Sequence, residues 1–440
     1  MATSDETPGA ALATDRIAAS PVYPAGSRVN ERGHLEIGGC DVVELAAELG
    51  TPAYVYAEDD IRGRAREFRR ALSERIDEFE VLFASKALPC TAVYALAAEE
   101  GLSVDVASGG ELRMALAAGF EPARVHLHGN NKTEAELRYA IESGVGQIIV
   151  DSFDEIERLE RLLDRPQRVL IRITPGIKAL THSYVQTGQE DSKFGFGLAD
   201  GLAERAVAAV RATPNLELVG LHAHIGSQIF ELEPFTRAIE VLADFTRTVE
   251  FEPELLNIGG GLGIAYLDQD RPPSIDRYAE VKVEGVKRVF DRVPRLLIEP
   301  GRALVGNAGV TAYRVGTVKE IPGVRTYVAV DGGMSDNLRP MLYRSRYQAV
   351  IADRAGEAPE TTATIAGMHC ESGDVLIEDA ELAGPRVGDV LVTPATGAYG
   401  HSMANNYNGV PRPPVIFCRD GEARVVVRRE TWDDLLARDA

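Results

Sequence analysis

The sequence predicts an α/β chain, a (β/α)8 TIM-like barrel followed by a smaller, mostly-β domain. Three observations carry that prediction. Short apolar runs rich in β-branched residues alternate with helical patterns, and the first five are centred about 22 residues apart, the length of one strand, one helix and two tight loops. The runs number eight, the count at which such a barrel closes. Past Arg302 the helical period fades and strand-like stretches replace it.

In chain order the barrel strands are expected at Val81–Ala84, Ser103–Val106, Val125–Leu127, Gln147–Val150, Val169–Ile173, Leu216–His224, Leu255–Ile258 and Arg295–Ile298. Helical patterns such as Gly110–Ala118, Thr133–Ser143 and Phe153–Leu163 fall between them. An open doubly wound sheet is the competing architecture. The later strands are expected at Val310–Val318, Arg325–Val330, Thr361–Ala366, Val390–Pro394, Val415–Phe417 and Ala423–Arg428. Residues 1–26 read as a disordered tail, 27–50 as a segment open to packing with the β domain, 51–305 as the barrel and 306–440 as a β-sandwich-like domain. Within the barrel portion, Thr51–Ala57 reads as a strand leading into the ring.

Composition removes several function classes. Lys+Arg 47 against Asp+Glu 67 gives a net charge of −20, which repels phosphate backbones, so nucleic acid is not an expected partner. No run approaches the ~18 apolar residues of a membrane span. The four cysteines, Cys40, Cys90, Cys370 and Cys418, form no C-x-x-C pair, so neither a disulfide framework nor a zinc knuckle is indicated. The N-terminus lacks the basic and apolar regions of a secretory signal. A cytoplasmic setting is the expectation.

In a parallel barrel the chemistry lies where the strands end. The first strand ends in Ser85-Lys86, and an amine emerging from buried backbone gives up its proton more readily and can attack an aldehyde. Taken alone, Lys86 reads more readily as a lysine snorkelling at a strand end. Gly259–Gly263 could seat a phosphate on backbone N–H groups or be a tight turn, and its spacing departs from the dinucleotide fingerprint. Glu299 and Arg302 flank a Pro300-Gly301 turn, where they could form an ion pair, or the carboxylate could keep a heteroaromatic nitrogen protonated. His224 shares a face with His222 by the period of two and could stack on a ring or sit in a core. Amine, phosphate cradle, carboxylate and imidazole match one cofactor, pyridoxal 5′-phosphate. The histidines lack a metal-binding spacing, so no metal is expected.

From about Thr51 to Phe417 the blocks HGNNKTEAEL, THSYVQTGQEDSKFGF, HAHIGSQ, NIGGGLG, EPGR, VDGGMSDNLRP, HCESGD and GAYGHSMANNYN closely resemble the diaminopimelate decarboxylases. These belong to the alanine-racemase-like group of pyridoxal-phosphate enzymes that also includes ornithine and arginine decarboxylases. One departure stands out: Ala-Ser-Lys-Ala-Leu-Pro surrounds Lys86 where many members have Ala-Val-Lys-Ala-Asn, which bears on fine positioning rather than on the lysine itself.

The resemblance implies decarboxylation of meso-2,6-diaminopimelate to L-lysine, the last step of lysine biosynthesis. Lys86 would carry the cofactor and His224 would stack on its ring. Ser227, Gly260, Gly261 and the turn from Glu299 through Pro300 and Gly301 to Arg302 would hold its phosphate and ring nitrogen, with Tyr399 touching phosphate and substrate. Arg302, Arg339 and Tyr343 would bind the carboxylate at the substrate's far end, and Glu371 its distal amine. Cys370 would donate the proton, delivered from the second subunit of a homodimer. The alternatives are another amino-acid substrate, such as ornithine, arginine, lysine or a carrier-bound amino acid, or an amino-acid racemase.

Overall fold

The computed structural model describes residues 16–177, 192–199 and 201–440. They form two compact units: Arg62–Gly263 with Arg271–Leu304, and the residues up to Ile61 with Ile264–Asp270 and Val305–Ala440.

The first unit is a closed parallel barrel. Its strands are β1 (Phe79–Ala84), β2 (Ser103–Val106), β3 (Val125–Leu127), β4 (Gln147–Val150), β5 (Gln167–Thr174), β6 (Leu216–His222), β7 (Leu255–Asn257) and β8 (Arg295–Ile298). Each pairs in parallel with the next, and β8 returns to β1 through Leu296↔Phe79, Leu297↔Glu80 and Ile298↔Val81, which closes the ring. A two-residue strand, Phe196–Gly197, adds to β5 outside the ring.

Side-chain caps set where the intervening helices begin. Ser108 accepts from the Glu111 N–H, Ser152 from that of Glu155, and Thr133 and Glu136 form a reciprocal capping box, each satisfying an N–H that the first turn leaves unbonded. A core cluster draws Leu82, Ile149, Leu170, Val219, Leu255 and Leu297 from six of the strands. Full burial of one such side chain stabilises by about 1.5–3 kcal/mol, so the alternating inward positions hold the strand ends in fixed register.

The second unit is built on the 13-residue strand Gly309–Ile321. Its first half pairs with Ala53–Ala57 and with Val390–Thr393, and its second half pairs with Arg325–Val330. Ala53–Ala57 also pairs in parallel with Val415–Arg419. The segment expected to lead into the barrel is thus an inner strand of this unit's sheet. All five of its residues are buried, a pattern that suits either sheet, and its partners lie more than two hundred residues away in sequence. Residues 27–50 belong to the same unit. Of the expected tail, 1–15 lie outside the described residues, whereas Ile17, Val22 and Tyr23 are buried, so that part of the expected tail is packed. Among the described residues no helix is long and apolar enough to cross a membrane.

Candidate active site

Because every barrel strand runs the same way, the segments following β1, β3, β6, β7 and β8 share one end of the ring. After β1, a single 3-10 turn, Ser85–Ala87, presents Lys86. Ala84, Ser85 and Ala87 are buried while the Lys86 side chain is exposed. The backbone is therefore as enclosed as expected, whereas among the described residues the Lys86 side chain itself is not buried. The Ser85 hydroxyl donates to Glu111 Oε2 at 2.8 Å, and the Ala107 N–H donates to the same oxygen at 2.7 Å. Burial pushes the Glu111 carboxyl up despite those donors.

Glu299 follows β8 and is buried. Asn257 Nδ2 donates to its Oε1 at 2.7 Å, His128 Nε2 stands 3.0 Å from the same oxygen, and His222 Nε2 stands 3.2 Å from Oε2. Burial works to raise the carboxyl, but His128 and His222 outweigh it and hold Glu299 well below the ordinary carboxylate range. Burial pulls His128 down, yet Asp105 and Glu299 carry it above the ordinary imidazole value. His222 is driven by burial to about 4, with Glu299 opposing. The result is a carboxylate held ionised beside two imidazoles that their surroundings drive in opposite directions.

Those three ligand atoms lie within 4.8 Å of one another, close enough to hold a metal ion. The Asn257 amide donating to Glu299 Oε1, the oxygen His128 also faces, suits a hydrogen-bonded carboxylate better than a metal ligand.

His224 lies beyond the end of β6, so it does not continue the strand face of His222. Its Nδ1 accepts from the Gly260 N–H at 3.3 Å. Burial, then Lys86 and Arg172, push its pKa well below the ordinary imidazole value. His224 is therefore a neutral, flat ring beside the glycine run.

That run turns sharply. Gly259 and Gly261 have φ of 63° and 103°, a region that favours glycine. A Cβ on Gly260 would fall 2.1 Å from the Glu299 carbonyl oxygen, and one on Gly261 would fall 2.6 Å from that of Gly226. Gly301 packs against Ala84, and the Ala84 N–H donates to the Pro300 carbonyl at 3.1 Å, so the Glu-Pro-Gly-Arg turn is tied to the lysine-bearing strand. Arg302, buried, donates from Nη2 to the Ser227 hydroxyl at 3.2 Å. Lys86, His224, Ser227, Gly260, Gly261 and Glu299 to Arg302 thus belong to one unit.

The remaining expected residues belong to the other. Arg339 opens the helix Arg339–Tyr343 and is buried. Its Nη1 donates to the hydroxyls of Tyr266 at 2.7 Å and Tyr347 at 2.6 Å, while its buried Nε has no partner among the described residues. Tyr343 is half-buried, as is Tyr399, which takes a φ of 61°. Cys370 and Glu371 are exposed. The Cys370 N–H donates to Asn408 Oδ1 at 3.1 Å, and the adjoining His369 N–H donates to Asp374 Oδ2 at 2.9 Å. The THSYVQTGQEDSKFGF block lies for the most part outside the described residues.

Amine, glycine cradle, arginine-backed serine, neutral imidazole and ionised buried carboxylate are the donor set that a phosphorylated pyridine aldehyde requires. Consistent with this, residues 58–306 match the family model described as "Pyridoxal-dependent decarboxylase, pyridoxal binding domain". Across 424 residues the chain is 51% identical to the diaminopimelate decarboxylase of Bacillus subtilis (strain 168), covering 94% of this chain and 97% of that protein. It is 50% identical to the one from Actinosynnema pretiosum, covering 95% of each. The solved diaminopimelate decarboxylase of M. jannaschii in co-complex with L-lysine superposes with a TM-score of 0.88 at 33% identity, over 94% of this chain and 97% of that one. The chain belongs to the diaminopimelate decarboxylase family of pyridoxal-dependent decarboxylases.

Proposed function

We propose that the chain decarboxylates meso-2,6-diaminopimelate to L-lysine and carbon dioxide with pyridoxal phosphate as cofactor. The observation that carries the reaction type is Glu299, a buried carboxylate kept ionised by His128 and His222. Facing a pyridine nitrogen, it favours the protonated ring. A racemase would want a cation at that position. When bound, pyridoxal phosphate supplies the electron sink for the pair left on Cα as carbon dioxide departs.

The chain's own residues do the rest. Lys86 would hold the cofactor covalently, and Gly260 and Gly261, the Ser227 hydroxyl and the Arg302 guanidinium would take its phosphate, with Tyr399 against phosphate and substrate. Pro300 and Gly301 shape the turn that carries Glu299. His224 would lie on the ring face, and being neutral it leaves the ring's own charge undisturbed. Arg302, Arg339 and Tyr343 would bind the carboxylate at the unreacting end of the substrate, and Glu371 the amine there. Cys370 would place a proton on Cα.

The names of the relatives and the buried guanidinium of Arg339 support the dicarboxylate substrate, since a substrate lacking the second carboxylate leaves those donors unpaired. The resemblance further supports a homodimer in which Cys370 serves the partner's site, and four free cysteines support the cytoplasm as the compartment. Carbon dioxide release from meso-diaminopimelate, ornithine, arginine and lysine tests the assignment: release from meso-diaminopimelate alone is expected, and preferential release from any of the other three overturns the substrate.

A further inference from the structure

Helix Ile275–Val289 carries a lysine that the reaction does not use. Lys282 is fully buried. Its Nζ donates to the carbonyl oxygens of Ile258 at 3.1 Å and Gly259 at 2.8 Å, and to the Tyr278 hydroxyl at 2.5 Å. Tyr278, one turn earlier on the same helix face, places its hydroxyl 3.3 Å from the Gly259 carbonyl oxygen and 3.1 Å from that of Gly260. Nζ also lies 4.6 Å from the ring centre of Phe235 and 4.2 Å from that of Tyr278.

Two consequences follow from this geometry. In a planar trans peptide the C=O and the following N–H point in opposite directions. Tying the carbonyls of Ile258, Gly259 and Gly260 back to the helix therefore turns the N–H groups of Gly259, Gly260 and Gly261 away from it; that of Gly259 donates to Asn257 Oδ1 at 3.0 Å and that of Gly260 to His224 Nδ1 at 3.3 Å, so of the three it is the Gly261 N–H that the run offers to a ligand. In addition, the three donors of an ammonium group meet three oxygens, but none of these is a carboxylate. The charged group that acts on Lys282 is Glu299, and burial outweighs it, pushing the amine well below the ordinary lysine range. Among the described residues no carboxylate meets the amine, so its charged form is disfavoured, and an anion seated on the opposite side of the glycine run would favour it.

We propose that Lys282, with Tyr278, is a positioning residue for the cofactor's phosphate. The pair fixes the glycine run from behind, and a phosphate seated on its far side favours the charged form of the lysine amine. This rests on the reading of Gly259–Gly261 as the phosphate cradle. Removing Lys282 should weaken a phosphorylated pyridoxal and spare an unphosphorylated one.

The test uses the full-length protein, stripped of cofactor and reloaded. Dissociation constants for pyridoxal phosphate and for pyridoxal are measured by absorbance in the wild type and in Lys282→Met, which keeps the side chain's length and removes its charge. The expected result is a roughly tenfold weaker Kd for pyridoxal phosphate, an unchanged Kd for pyridoxal, and an unfolding temperature of the cofactor-free variant no lower than that of the wild type. An unchanged ratio of the two constants overturns the proposal. Tyr278→Phe keeps the ring and removes the hydroxyl, so it reads the same ratio should Lys282→Met fail to fold. A severalfold loss confined to pyridoxal phosphate supports the proposal, and equal losses for both ligands overturn it. A wild type that binds the two ligands equally would bring down the cradle reading itself, an outcome distinguishable from failure of the Lys282 variant alone.

Discussion

Arg339 offers the most discriminating perturbation. The residue is 5% exposed, and its Nη1 is committed to Tyr266 and Tyr347, leaving the Nε edge for a ligand. A hydrogen bond to a charged group contributes about 1.5–3 kcal/mol, so losing one should weaken binding of a carboxylate by about 10- to 150-fold. L-Lysine, the product, keeps the carboxylate of the unreacting end, whereas 1,5-diaminopentane has none. Arg339→Ala should therefore raise the inhibition constant of L-lysine and the KM for meso-diaminopimelate by that factor, and leave inhibition by 1,5-diaminopentane unchanged. The assay is steady-state carbon dioxide release with each inhibitor in turn, alongside a melting curve, because the substitution also takes a donor from two tyrosines. Equal weakening of both inhibitors, or of neither, would remove Arg339 from carboxylate recognition.

Three further expectations can be checked alongside. Glu299→Gln keeps the shape but not the charge, so kcat should fall by roughly two orders of magnitude with the cofactor still bound; a kcat within a few fold of wild type would dismiss the role of the carboxylate. His222 sits near 4 in the fold against about 6.5 when unfolded, so between those values the unfolded chain binds more protons and stability rises with pH. Replacing it in His222→Gln should flatten the dependence of the melting temperature across pH ~4–6.5, and an unaltered slope would contradict the shift. If Cys370 serves the neighbouring subunit, inactive Lys86→Ala and inactive Cys370→Ala should regain roughly a quarter of wild-type activity when unfolded together and reassembled, and a mixture that stays dead would place both residues in the same protomer's site.

Much of the barrel was legible because its strands are short, apolar and bounded by turn residues. Ser103–Val106, Val125–Leu127, Gln147–Val150 and Arg295–Ile298 lie where the pattern put them. Local pattern cannot choose between distant partners, and so the segment expected to lead into the barrel gives no sign that Ala53–Ala57 pairs with Gly309–Ile321 and Val415–Arg419. Val375–Leu382 has no legible strand pattern because Glu378 and Asp379 interrupt its alternation, and the strand accommodates them with a register shift and a φ of 53° at Asp379.

The site divides in the same way. Lys86, the glycines and the Glu-Pro-Gly-Arg turn stand out locally as chemistry at strand ends. The environment of Glu299 does not, since His128, His222 and Asn257 come from three separate strand ends. Lys282 is hidden for a related reason. In Lys-Val-Glu-Gly-Val-Lys it reads as one more surface lysine, and the packing of its helix against the glycine run and Phe235 buries it.

The central claim is that the amine of Lys86 carries the cofactor in this chain. Borohydride treatment of the holoenzyme, followed by proteolysis and mass spectrometry, reads that attachment directly. A pyridoxyl-phosphate mass increment on the peptide containing Lys86, together with loss of activity, is the predicted result. A tag on another lysine, or a cofactor that washes away untagged, would contradict the account.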